Sequence, residues 1–381
     1  MFPGRLSDCL NVEDYRKAAR RRAHKMVFDY IDGGSDDEVA RFEGQGAFRD
    51  YRIAHRVLSG VDKPDMSTTV MGQKLDVPFL LSPAAGNRLF HTDGELAPAK
   101  AAEAVGTVYC LSTLSSRSIE EIGAATAGPK WFQLYVWKDR VLVKEMLARA
   151  RAAGYTALVL TVDFPITGNR ERDPRNGFTI PPKLGLKQIW HAMQAPLWSL
   201  DYVTKPGVKY ANLSEDTSAV SLNEFVAKQL SADFSWADAE WLLGEWNGPA
   251  MIKGVARPDD ALRAVKTGFN AISLSNHGGR QLDCSPAPVH CVQTVRQAVG
   301  NDAQLVVDGG VRRGTDVLKA VALGANAVSF ARPYLYGLAA FGIKGAVQAV
   351  TQMRDAVERD MILSGVGDLS QLDESFIRYV K

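Results

Sequence analysis

The 381-residue chain predicts an α/β fold of the (β/α)8 TIM-barrel type, with an N-terminal helical cap and a long loop insertion after the fourth strand. Three observations carry that prediction. Eight short, near-continuous apolar segments recur along the chain, helix-like stretches alternate with them, and the set from residue 77 onward fills roughly 260 residues, the size of one such barrel. Apolar runs without alternation suit strands covered on both faces, as in a parallel sheet ringed by helices. A doubly wound sheet usually runs out of strands sooner.

In order, the strands are "VPFLLSP" (77–83), "TVYCLST" (107–113), "KWFQLYV" (130–136), "ALVLTVD" (157–163), "PAMIKGV" (249–255), "AISLSNH" (271–277), "QLVVDGG" (304–310) and "AVSFARP" (327–333). Between them "GELAPAKAAEAVG", "DRVLVKEMLARARAAG", "RPDDALRAVKTG", "APVHCVQTVRQAVG" and "GTDVLKAVALG" read as helices, each ending at a glycine stop. Ahead of the barrel, "YRKAARRRAHKMVFDYI" predicts one amphipathic helix, opened by Asn11 and closed by Gly33 and Gly34, within a helical cap over about the first 70 residues. The spacing breaks once, between "LTVDFP" and "MIKGV", where an insertion at about 170–230 leads into the helices "SLNEFVAKQLSA" and "SWADAEWLLGEW". The barrel core is then about 77–345, residues 347–381 form a helical C-terminal extension, and 1–381 read as a single functional domain.

Composition excludes several classes. With 45 basic and 43 acidic residues spread along the chain, the net charge of +2 gives no global field for nucleic acid. Cys9, Cys110, Cys284 and Cys291 include no CxxC pair, which suits reduced thiols in a cytoplasm. The N-terminus lacks an apolar signal core, and no run approaches the ~18 apolar residues of a membrane span, so a soluble or at most surface-bound protein is expected. His24, His55, His91, His191 and His290 are dispersed and read as surface or satisfied core histidines, with no metal site.

Polar residues collect where each strand stops, the catalytic rim of this architecture. The rim runs from Pro83, Ala84, Ala85 and Gly86 after strand one to Ser112 and Thr113 after two, and Gln133 and Tyr135 along three. Strand four brings Thr161, Asp163 and Arg170, strand five Lys253, and strand six Ser275, His277 and Arg280. Strand seven ends in Asp308, Gly309, Gly310 and Arg312, and strand eight in Arg332. "DGGVRRG" and "ARP" fit a phosphate site of glycine amides and guanidiniums between the last two loops. Lys253 in the same mouth stabilises a developing anion or forms a Schiff base, and residue type alone leaves both open. In "SNHGGRQLD", His277 and Arg280 put a general base beside a carboxylate-gripping donor.

That segment, taken in order with "KMVFDYIDGG", "FQLYV", "LTVD", "GNRERD", "KGV" and "DGGVRRGTDV", resembles the FMN-dependent L-2-hydroxy acid dehydrogenases and oxidases over nearly the whole chain. The resemblance implies a barrel that binds FMN and oxidises a 2-hydroxy acid to the 2-keto acid. It implies His277 as base, Asp163 as the carboxylate orienting it, Arg280 and Arg170 as the substrate-carboxylate pair, and Tyr30 and Tyr135 as hydroxyl partners. For FMN it implies Ser112, Gln133, Thr161 and Ser275 around the ring, and Pro83, Ala84 and Ala85 as the wall near N5. Lys253 falls beside N1 and the C2 carbonyl, where charge gathers on reduction. Asp308, Gly310, Arg312, Ala331 and Arg332 fall along the ribityl chain and phosphate, and the assembly expected by resemblance is a homotetramer.

Leu114 stands where plant glycolate oxidases carry tryptophan, and "SSRSIEEI" is more like the bacterial lactate and mandelate dehydrogenases, which favours a quinone or cytochrome acceptor over O2. "SPAA" replaces the usual "APT", and Ala331 replaces a glycine near the phosphate. L-Lactate is the favoured substrate, with mandelate the alternative. Residues 181–210 hold four lysines, one aspartate, two tryptophans and two tyrosines, a basic and aromatic mix suited to a bilayer surface. The resemblance favours peripheral attachment to the inner face of the cell membrane there, over a packed lid with no clean helical moment.

Blander roles stand beside these. Asp308 could cap the helix starting near Thr315, Tyr30 could be core packing, Arg20 to Arg22 read as a solvated helix face, and Trp236, Trp241 and Trp246 as packing. From another class, a non-redox aldolase would use Lys253 as its Schiff base.

Overall fold

The computed structural model describes residues 4–135, 137–178, 185–205, 207–213, 230 and 232–380. Asn11 accepts from the Glu13 and Asp14 amides and so opens α1 (Val12–Arg22). The helix stops at Ala23, and the buried His24 ring accepts from Met26 N–H to open α2 (Lys25–Asp32). Two helices therefore stand where one was expected, because the His24 ring caps the second and meets the Gln188 carbonyl at 3.0 Å. In α3 (Val39–Gly46) the first amides, of Val39 and Ala40, donate to the Asp283 carboxylate at 3.2 and 2.8 Å. The aspartate of "SNHGGRQLD" is thus a helix cap that ties the N-terminal segment to the mouth of the barrel.

The cap is not all helical. It includes β1 (Tyr51–Ile53) and the hairpin of β2 (Thr68–Val70) and β3 (Gln73–Leu75). Met71 and Gly72 at the hairpin turn have φ 51° and 74°, the left-handed pair a two-residue hairpin needs. Val70 and Leu75 pack with Leu80, Trp131 and Met251 from the barrel interior, so the hairpin plugs the end opposite the catalytic rim.

The barrel strands are β4 (Phe79–Leu81), β5 (Tyr109–Ser112), β6 (Lys130–Tyr135), β7 (Ala157–Thr161), β8 (Ala250–Val255), β9 (Ala271–Ser275), β10 (Gln304–Asp308) and β11 (Ala327–Phe330), closed in that order and parallel throughout. The helices following them in sequence are α4 (Leu96–Ala104), α5 (Ile119–Ala125), α6 (Arg140–Ala152), α7 (Arg172–Arg175), α8 (Leu186–Gln194), α9 (Pro196–Thr204), α10 (Trp236–Trp246), α11 (Pro258–Thr267), α12 (Val292–Val299), α13 (Gly314–Ala322) and α14 (Arg332–Ser364). All eight expected strands are present, and α7, α8 and α9 lie in the insertion after the fourth. Most of "SLNEFVAKQLSA", together with 181–184 and 206, lies outside the described residues. Trp246 is buried in the core, with Trp236 and Trp241 packed against it, as expected.

Two irregularities shape the mouth. The β8–β9 register shifts between Lys253 and Val255, around Gly254 at φ 112°. A Cβ on Gly254 would lie 2.6 Å from the Asp163 Cβ, so the bulge needs glycine to admit that aspartate. The eighth helix, α14, breaks at Phe341 and Gly342 and runs on to Ser364. Beyond it the chain forms β12 (Ile377–Tyr379), antiparallel to β1, so the C-terminal extension is helix followed by strand rather than helix alone. Arg22 is not part of a solvated face either: it donates to the Ala340 carbonyl at 3.2 Å and covers the Phe341 ring at 4.5 Å.

Candidate active site

A cavity of about 390 Å³ opens at the C-terminal ends of the strands. Most of the residues expected there line it: Tyr30, Pro83, Ala84, Ala85, Tyr135, Thr161, Arg170, Lys253, His277, Arg280, Asp308, Gly310, Arg312, Ala331 and Arg332. Asp163, Ser112, Gln133 and Ser275 sit behind that wall and act on it through hydrogen bonds.

His277 leaves β9 with φ 57°, followed by Gly278 and Gly279 at 67° and 72°. Three left-handed residues in succession turn the chain sharply, and the Ser275 hydroxyl holds the turn by accepting His277 N–H at 3.0 Å. The imidazole Nδ1 lies 2.8 Å from Asp163 Oδ1. A carboxylate only accepts, so Nδ1 carries the proton and Nε2 keeps its lone pair. Burial lowers the His277 pKa below the usual imidazole value; Asp163 opposes that shift, while Lys253 and Arg170 add to it. The ring is therefore a neutral base at pH 7.

Lys253 Nζ lies 2.7 Å from Asp308 Oδ2, and Ser275 Oγ bridges them, accepting from Lys253 at 3.0 Å and donating to Asp308 at 2.8 Å. Ser329 donates to the other Asp308 oxygen at 2.6 Å, as does Ser82. Burial raises the Asp308 pKa, but Lys253 outweighs it and brings the carboxyl down to about 2. In turn, burial disfavours the Lys253 ammonium, and the Asp308 and Asp163 carboxylates more than compensate, so its pKa is raised. Asp308 does not cap the helix near Thr315; Asp316 does, accepting from the Arg312 and Arg313 amides at 2.9 and 3.0 Å.

On the opposite wall the Arg280 guanidinium covers the Tyr30 ring at 4.6 Å and donates to the Tyr30 and Gly33 carbonyls. Arg170 donates to the Arg280 carbonyl at 3.1 Å and to Gln281 at 3.2 Å. Burial, and then Arg280, lower the Arg170 pKa to about 10. Two guanidiniums crowded in a partly buried pocket favour an anion beside them. Tyr30 also stacks on Phe178 at 4.6 Å, so packing and cavity lining are both true of it. Tyr135 stays a protonated donor, its pKa pushed up to about 12 by burial against the pull of Lys253.

At the seventh and eighth strand ends Gly309 and Gly310 have φ 97° and 79°, and a Cβ on Gly310 would lie 2.0 Å from the Gly44 carbonyl oxygen. Arg332 donates to the Ile31, Gly33 and Gly278 carbonyls at 3.0, 2.9 and 2.9 Å. Burial lowers its pKa to about 9 and also lowers that of Arg312. Desolvated cations beside a glycine cradle suit a phosphate. The polar row runs from Ser112 Oγ to Gln133 at 3.1 Å and from Gln133 Nε2 to Thr161 at 3.0 Å.

Sequence reasoning missed Phe90, Phe164, Phe178, Tyr210 and Asp173, which also line the cavity. Phe164, stacked on His277 at 5.5 Å, directly follows Asp163 and was within reach of the strand-end rule. Tyr210 and Phe178 arrive from opposite ends of the insertion, and no local pattern marks them. Among the described residues, no group of three or more His, Cys, Asp or Glu side chains could hold a metal ion, and no helix is long and apolar enough to cross a membrane.

Fold and mouth together define a (β/α)8 barrel with glycines and guanidiniums at its last two strand ends and a neutral imidazole in the same cavity as Arg170 and Arg280. The family model for FMN-dependent dehydrogenase matches residues 19–379. The chain is 40% identical to L-lactate oxidase of Nostoc sp., over 98% of its own length and 99% of the relative's. It is 38% identical to glycolate oxidase 1 of Oryza sativa subsp. indica, over 98% and 96%. Among solved structures, the monotopic membrane protein (S)-mandelate dehydrogenase matches with a TM-score of 0.94 at 36% identity, covering 98% of this chain and 100% of that one. The chain belongs to the FMN-dependent dehydrogenase family and is an FMN-dependent oxidoreductase. Its glycine cradle, the half-buried Arg312 and Arg332 and the Lys253 ammonium are a donor set that fits the phosphate and ring of that cofactor.

Proposed function

We propose that the protein oxidises an L-2-hydroxy acid to the 2-keto acid, with L-lactate as the favoured substrate, and delivers the electrons to a quinone or cytochrome. The observation that carries this reading is the His277–Asp163 pair, at 2.8 Å, opening onto the cavity that Arg170 and Arg280 also line. Arg170 and Arg280 grip the substrate carboxylate, and Tyr30 and Tyr135 hold its hydroxyl. His277 Nε2 accepts the substrate proton while Asp163 steadies the imidazolium that forms. FMN, when bound, takes up the electron pair. Its ring would be held by Ser112, Gln133, Thr161, Ser275, Pro83, Ala84 and Ala85. Lys253 would offset the charge that gathers on the reduced ring, and Asp308, Gly310, Arg312, Ala331 and Arg332 would hold the ribityl phosphate. Residues 1–381 act as one functional domain, assembled as a homotetramer, which light scattering would check.

A cavity of about 390 Å³ that must admit both a flavin ring and the acid favours a small side chain such as that of lactate. The rings of Phe90, Phe164, Phe178 and Tyr210 favour the second reading, (S)-mandelate. An aldolase reading loses support, because Lys253 is held charged and a Schiff-base lysine needs a free amine.

Membrane attachment through the insertion is part of the proposal. In α8 and α9, Leu186, Ile189, Trp190, Met193, Leu197, Leu200 and Val203 are all exposed large apolar side chains. That apolar surface suits the headgroup boundary of a bilayer, with the quinone reached from there. Anaerobic bleaching of the yellow holoenzyme by L-lactate against (S)-mandelate ranks the substrates. Reoxidation by O2 against a quinone analogue tests the acceptor: faster turnover with oxygen would sink the dehydrogenase reading.

A further inference from the structure

A second cavity shares no lining residue with the active-site cavity. About 610 Å³ lies between α1, α2, α7 and α8. Six cations line it: Arg16, Arg20, Arg21, Lys25, Arg172 and Arg175. The carboxylates in its lining are Asp29 and Asp32, and both are already engaged. Asp32 is bound by Arg16 at 2.6 Å, Arg41 at 2.9 Å and Tyr336 at 2.8 Å, and Asp29 by Lys25 and by Asn176 at 2.6 Å. The outer cations face solvent, with side-chain exposures of 72% at Arg175, which pairs with the exposed Glu171, and 51% at Lys25, which pairs with Asp29. The catalytic mechanism uses none of these six.

Helix α8 connects this cavity to the apolar surface. Its His191 and Gln194 line the basic cavity, while its Ile189, Trp190 and Met193 are exposed. A soluble anion would answer the cations and leave the apolar face unexplained. A polynucleotide would leave that face unexplained as well. An amphiphile with an anionic head answers both.

We propose that this cavity receives the phosphate headgroup of an anionic phospholipid while α8 and α9 enter the acyl boundary of the same leaflet, an inference that rests on the membrane-docking reading above. The lipid selectivity is therefore built into the folded body beside the docking helices, where guanidiniums bind phosphate oxygens in a bidentate manner.

The full-length FMN-loaded protein, sedimented with vesicles of phosphatidylcholine alone or mixed with phosphatidylglycerol, tests this. Binding to the anionic vesicles should be about tenfold stronger or more, and added salt should weaken it without affecting the neutral vesicles. Reversing two rim charges, Arg20→Glu with Arg175→Glu, should erase the preference while substrate still bleaches the flavin. The milder Arg20→Gln with Arg175→Gln should reduce it. Equal binding of the wild type to both vesicles, or a preference that survives both pairs of substitutions, overturns the headgroup site and leaves docking by α8 and α9 standing. No binding to either vesicle overturns both. Saturable binding of inorganic phosphate, lost in the reversed variant but without vesicle preference, would make this a soluble-phosphate site and overturn the lipid proposal.

Discussion

Asp163 Oδ1 faces His277 Nδ1 at 2.8 Å, while Asp163 Oδ2 is buried without a hydrogen-bond partner. One oxygen of the carboxylate is thus committed to the imidazole, and the pair is held in place by Gly254, the one residue type that leaves room for it. This relationship sets the tautomer of His277, with the proton on Nδ1 and the lone pair on Nε2.

His277→Gln removes the base without removing a cofactor contact. The purified variant should stay yellow, and its anaerobic reduction by substrate should slow by about 10²–10⁴-fold, the usual worth of a positioned base. Stopped-flow absorbance measures it; wild-type reduction would mean that another group takes the proton.

Asp163→Asn acts on the pH profile as well as the rate. Burial already places the His277 pKa below the ordinary 6.5, so kcat/KM of the wild type should fall only as pH drops through a value below that. Asp163 is the group that raises it, and its loss should move this acid limb lower still, with kcat reduced. A limb shifted upward would contradict the assignment.

Lys253→Met strands the Asp308 carboxylate in a buried site. Since Lys253 is what brings that carboxyl down to about 2, its pKa should rise on substitution, and FMN content after purification should fall. Flavin-to-protein absorbance ratios give the readout, and unchanged occupancy would remove Lys253 from the cofactor site.

Asp32→Asn should destabilise the fold by about 3–5 kcal/mol, because it leaves the partners of a 1%-exposed carboxylate uncompensated. Burial opposes the Asp32 charge, but Arg16 and Arg41 hold its pKa below the usual carboxylate value. The stabilisation is therefore complete above about pH 4 and is lost as pH falls through the folded value. Urea unfolding at neutral pH and in acid should show the variant's deficit shrinking on acidification.

The strand-end rule located His277, Arg170, Arg280, Gly310, Arg312 and Arg332 in one cavity because a parallel barrel brings every strand's C-terminus to one rim. Asp283 escaped that rule. It belongs to the most informative nine residues in the chain, yet its partners are amides of α3, and chemistry-bearing neighbours gave no sign of a structural duty. Tyr210 and Phe178 escaped because their approach depends on how the insertion folds back. The break at His24 escaped because the α1–α2 pattern is amphipathic on both sides, and only the Gln188 carbonyl from that insertion occupies the ring's second nitrogen.

By itself the sequence determined the order of strands and helices, the rim on which polar residues fall, and the kinds of group present there, since these follow from periodicity and residue chemistry along a single chain. Only the tertiary structure decided which carboxylate meets which cation: Asp308 with Lys253, Asp163 with His277, Asp32 with Arg16. Such pairings depend on burial and on ångström-scale contact between segments distant in the chain, where a lowered dielectric makes one partner matter far more than any local spacing.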